Sequence, residues 1–128
     1  MLSPMSADGT LSPLPAVSSE ALALHQECLV FDGHADTLTE MHDRGYDLDA
    51  GPEGSHLDLA RSAHGVLDAQ VLTCYVNPRC LPEGAARVRA LLDTWDRQQA
   101  LFPDRVALCL EPGDIRRARA GGRLAVVL

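Results

Sequence analysis

Four short apolar runs, CLVFDGH (28–34), GVLDAQVLTCYV (65–76), RVALCL (105–110) and RLAVVL (123–128), constrain this chain more than any other feature. Each has strand length and is nearly continuous in apolar character, the pattern of strands buried on both faces. The segments between them read as helices. PEGAARVRALLDTWDRQQALF places Pro82 at a first helical turn and carries Val88, Leu91, Leu92, Trp95 and Leu101 near helical spacing. Trp95 and Leu92 are expected to form its core stripe. SSEALALHQE opens on a Ser cap, HLDLARSAH is a short helix, and PGDIRRARAGG closes on a glycine pair. Buried strands alternating with amphipathic helices predict an α/β fold with a parallel sheet built from βα units.

The chain of 128 residues suits one ordinary domain. Residues 1–18 are rich in Ser, Pro and Gly and are expected to be a disordered tail, with the folded domain over 19–128. With 11 basic and 18 acidic residues the net charge is -7, which argues against nucleic acid as a partner because no basic stripe faces the phosphates. The first twenty residues hold no Lys or Arg and no unbroken apolar run, so neither a signal peptide nor a membrane segment is expected. Cytoplasmic residence follows as the default. Cys28, Cys74, Cys80 and Cys109 form no C-x-x-C pair and read as buried thiols in a reducing compartment.

LVFDGHADTL carries the chemistry. In an extended strand Asp32, His34 and Asp36 share parity and present two carboxylates and an imidazole on one side, a plausible shell for a divalent ion. Gly33 would admit a close approach of backbone or ligand. The plainer reading is a strand running into an Asp- and Gly-rich turn. The strand-end position favours chemistry, since ligands in parallel α/β folds collect beyond the C-terminal ends of strands. Met41 to Ser55 reads as one long loop. His42, which could line a pocket, reads with His56 and His64 as loop or surface; His25 is structural. Asp68 and Gln70, inside an apolar run, need partners, a structural polar pair being favoured. G-x-S-x-G, Walker and G-x-G-x-x-G motifs are absent from the sequence.

Taken in order, FDGHADTL, HLDLARSAHGVLDAQVLTCYV, a long helix and IRRARAGGRLAVVL resemble the N-terminal part of the membrane dipeptidase (renal dipeptidase) family of zinc peptidases, over residues 24–128. The resemblance implies an amidohydrolase-like (β/α)8 TIM barrel, two zinc ions bridged by a glutamate, and dipeptides as substrates. His34 and Asp36 match the H-x-D ligands of one zinc. Ala35 stands where the family usually has Asn, and LTCYV where it often has aromatic residues, so pocket polarity and substrate preference are expected to differ. The bridging glutamate would fall about three residues beyond Leu128, at a strand end where barrel chemistry sits, and the remaining ligands later still. The chain therefore reads as the first third of such an enzyme, weak in zinc binding and silent alone, and no catalytic residue is assigned within it. The alternatives are a non-catalytic small α/β module and a related metal amidohydrolase acting on a non-peptide amide.

Overall fold

The computed structural model describes residues 17–128. The expected tail, apart from Val17 and Ser18, lies outside the described residues. Helix α1 (Ser19–Glu27) begins on Ser18, whose hydroxyl accepts the Ala21 N–H at 3.2 Å. Strand β1 (Phe31–Ala35) leads into α2 (Thr37–Arg44), and α3 (Leu59–His64) precedes β2 (Ala69–Leu72). A 3-10 turn over Pro78–Glu83 opens α4 (Gly84–Leu101), followed by β3 (Val106–Leu108), α5 (Pro112–Ala120) and β4 (Leu124–Val127).

The strands form one parallel sheet in the order β1-β2-β4-β3. The chain thus steps outward from β2 to β3 and comes back for β4. Parallel crossovers are right-handed, so a reversal of direction puts the two connecting helices on opposite faces. The packing matches. Leu91 and Trp95 of α4 join Leu72, Val106, Leu124 and Val126, together with Leu38 and Met41 of α2, in the main core. Ala118 and Ile115 of α5 pack instead with Ala69, Ala107, Ala125 and Val127. Small residues on that second face let α5 lie close to the sheet.

Several expectations are corrected. The segment 41–55 is not one loop: α2 runs through Arg44 and stops at Gly45, whose φ of +70° closes the helix in the left-handed region. Its signal was Leu38 and Met41 at i and i+3, both fully buried, obscured by the Asp- and Gly-rich stretch after them. The rest of that segment is stitched to α4. Buried Gln98 accepts the Leu48 N–H at 2.8 Å and donates to Asp47 at 2.8 Å, while Arg97 and Arg105 hold Asp47 and Asp49. Along α4 the buried stripe is Leu91, Thr94, Trp95 and Gln98, at i, i+3, i+4 and i+7, and Leu92 faces outward. Among the described residues β1 pairs with β2 alone, and coverage on both faces fails there, with Phe31 exposed. Of the thiols, Cys109 is buried, Cys74 is half-buried and Cys28, at the end of α1, is exposed.

The H-x-D-L-x-R stretch is structural. Asp58 caps α3 by accepting the Arg61 N–H at 2.7 Å, and the Arg61 guanidinium returns to Asp58 and to the carbonyl and hydroxyl of Ser55. Burial pushes the Asp58 carboxyl up, but the Arg61 backbone and guanidinium outweigh it and hold the group below its ordinary range. Gly51 sits against this knot: a Cβ there would lie 2.1 Å from Ser55 Oγ.

Candidate metal centre

His34 is the penultimate residue of β1, and Asp36 is the first residue beyond it and the cap position of α2. Simple alternation does not bring them together. Between Asp32 and Ala35 the β1–β2 register slips, with three steps on β1 matching two on β2. This irregularity lies in the Gly33-His34 stretch. The Asp32 carboxylate turns back to accept the His34 N–H at 2.9 Å, so it stabilises the bend rather than completing an ion's shell. Gly33 is open: a Cβ there would meet nothing within 4 Å, so the close approach expected of it is not observed among the described residues.

The bend and the start of α2 leave His34 Nε2 3.5 Å from Asp36 Oδ1, with side chains 68% and 58% exposed. Two donors on one tetrahedral zinc, each about 2.0–2.1 Å from it, stand roughly 3.4 Å apart. The pair therefore fits two positions of one ion. Among the described residues no group of three His, Cys, Asp or Glu side chains could hold a metal. Two donors at this spacing do not by themselves make up an ion's shell.

The pair borders a cavity of about 410 Å³ lined also by Asp32, Glu40, His56, Leu57, Leu67 and Gln70. Gln70 is buried beneath it and donates to the Val71 carbonyl at 3.0 Å. Thr73 was missed from sequence. Its hydroxyl reaches Asp36 Oδ1 at 2.6 Å, and its backbone N–H donates to the Ala35 carbonyl at 3.0 Å. Residues 36 and 73 are far apart in the chain, and only parallel β1–β2 pairing, with Ala35 opposite Leu72, sets them side by side.

The other histidines have settled roles. His25 Nε2 donates to the Gly65 carbonyl at 2.8 Å, a structural contact between α1 and the turn before β2. His42 sits on α2, not in a loop. Thr94 gives its hydroxyl proton to the Ala90 carbonyl, so His42 Nδ1 donates to Thr94 Oγ1 at 2.9 Å. His56 and His64 are exposed, His56 at the cavity edge. Asp68 forms the expected polar pair, 3.1 Å from Arg119 Nε, and accepts the Val30 N–H at 2.8 Å.

A parallel sheet carrying a His–Asp pair and a cavity at a strand's C-terminal end has the arrangement of an α/β enzyme site. The family description for membrane dipeptidase (peptidase family M19) matches residues 18–128, and the chain belongs to that family, a family of metallopeptidases. Among solved structures it is similar to the probable dipeptidase PvdM from Pseudomonas aeruginosa, with a TM-score of 0.65 at 22% identity over 84% of this chain and 29% of that one. It is also similar to dipeptidase AC, described as a metallopeptidase of family M19, with a TM-score of 0.66 at 19% identity over 77% of this chain and 33% of that one. The fold is thus the α/β N-terminal portion of the barrel these dipeptidases share, and the chain spans about a third of their length. No curated protein matches it. No helix among the described residues is long and apolar enough to cross a membrane.

Proposed function

We propose that this chain supplies His34 and Asp36 as ligands of one zinc in a dipeptide-hydrolysing site. The observation that carries the reading is the 3.5 Å separation of Nε2 and Oδ1 at the C-terminal end of a parallel strand. A zinc ion so placed would acidify a bound water and polarise the scissile carbonyl. This chain's own residues hold the ligands: the Asp32 carboxylate fixes the backbone under His34, and the cap position of α2 presents Asp36. The depression between them and Gln70 is large enough for a small peptide. With two protein ligands where a catalytic zinc takes three, residues 1–128 alone bind zinc weakly and turn over nothing. A reducing, cytoplasmic setting is proposed with it, supported by the free thiols Cys28, Cys74 and Cys109.

The test is to titrate the purified 128-residue chain with zinc and to assay release of amino acids from a panel of dipeptides, beside His34→Ala and Asp36→Ala. Weak binding that either substitution abolishes, without turnover, is the expected result. Zinc binding indifferent to both substitutions would remove the metal reading. Turnover above the His34→Ala control would show that the site is more complete than two ligands.

A further inference from the structure

We infer that Thr73 is a positioning residue for the Asp36 carboxylate, a role that rests on reading His34 and Asp36 as a metal pair. Asp36 sits at the cap of α2 yet makes no side-chain bond to the helix, and more than half of its side chain faces solvent. A carboxylate in that position rotates freely unless something holds it. Thr73 Oγ1 is 2.6 Å from Asp36 Oδ1 and 3.3 Å from the Ala35 carbonyl. A hydroxyl has one proton to give, and the shorter, charge-assisted contact takes it, so Thr73 donates to Asp36.

The donor is itself fixed. Its N–H is bonded to the Ala35 carbonyl at 3.0 Å, one residue before Asp36, and its branched side chain has few rotamers. The oxygen that Thr73 engages is also the one nearest His34 Nε2. One lone pair of Oδ1 receives the Thr73 proton, which leaves the other for the imidazole side, where a shared ion would be held. Thr73 therefore sets the spacing of the pair before a cation arrives, as partners behind metal ligands do.

The experiment compares the 128-residue chain with Thr73→Val, which keeps the shape and removes the donor, and Thr73→Ser, which keeps the donor. Zinc affinity is measured by competition with a chromogenic chelator, and the three-bond couplings that report the Asp36 χ1 angle are measured without metal. Thr73→Val is expected to weaken zinc roughly tenfold or more and to average the Asp36 couplings, with Thr73→Ser close to the parent in both. Unchanged couplings in Thr73→Val overturn the positioning role, as does unchanged affinity in a chain whose zinc depends on His34. If the parent binds no zinc, or binds it regardless of His34→Ala, the metal reading falls, and the couplings alone decide whether Thr73 orients Asp36.

Discussion

Asp68 and Asp36 lie at opposite ends of the same pair of strands, and the fold uses them differently. Asp68, just before β2, is 9% exposed and is bonded to the Val30 N–H and the Arg119 guanidinium. Arg119 in turn donates to the carbonyls of Gln26 and Cys28 at 2.8 Å each, tying α5 to the end of α1. Asp36, just past β1, is exposed and has the Thr73 hydroxyl and the His34 ring beside it. A carboxylate enclosed by donors at the N-terminal end of a sheet holds the fold. One left partly solvated at the C-terminal end is available to a ligand, which is the division of labour expected of barrel ends.

Substitution of each aspartate breaks or sharpens that contrast. Asp68→Ala strips a half-buried guanidinium of its partner and orphans the Val30 N–H, and is expected to cost about 2–4 kcal/mol in urea unfolding. Asp36→Ala is expected to stay within about 0.5 kcal/mol of the parent, as an exposed change does, while losing zinc. Equal losses of stability would erase the distinction. Gly51→Ala, remote from both ends, forces its Cβ into Ser55 and should cost about 1–3 kcal/mol, read from the thermal midpoint.

The acid limb of stability belongs to the structural carboxylates. The Arg87 hydrogen bonds hold Asp43 below its ordinary range, the Gln98 amide and then Arg97 hold Asp47 there, and Arg61 does so for Asp58 against the effect of burial. A carboxylate whose folded pKa is depressed contributes stability above its unfolded value and loses it as pH falls through the folded one. Stability is therefore expected to be level near neutrality and to fall below about pH 4. Asp58→Asn keeps a capping side chain and removes the charge, so it should flatten part of that fall in urea midpoints measured from pH 6 to pH 2.5. An unchanged slope would detach Asp58 from it. Gly45→Ala is expected to cost about 1 kcal/mol, because the left-handed φ strains a Cβ that otherwise meets nothing.

The strands, α4 and the His34–Asp36 pair were legible because each is written in contiguous residues: apolar runs, a helical stripe and an H-x-D spacing. The helix α2 was not, because its buried face is Thr37, Leu38 and Met41, only two of them apolar, and its ends lie among the Asp and Gly of a turn. Leu92 was misplaced for a related reason: with adjacent leucines at 91 and 92, periodicity does not say which faces the sheet. The stripe was decided by Thr94 and Gln98, polar residues whose burial depends on His42, Ala90, Asp47 and Leu48 being there to bond them.

Local sequence determined the strand and most helix segments, the class of fold and the H-x-D spacing of the candidate pair, since propensity, capping and hydrophobic period act over a few neighbouring residues. Tertiary structure alone decided the strand order, with β4 between β2 and β3, because pairing is chosen by how helices pack across a sheet and not by chain order. It alone brought Thr73 to Asp36 and Arg119 to Asp68. Those contacts exist only when two distant strand ends, or a strand and a distant helix, meet in register, and no local pattern encodes that meeting.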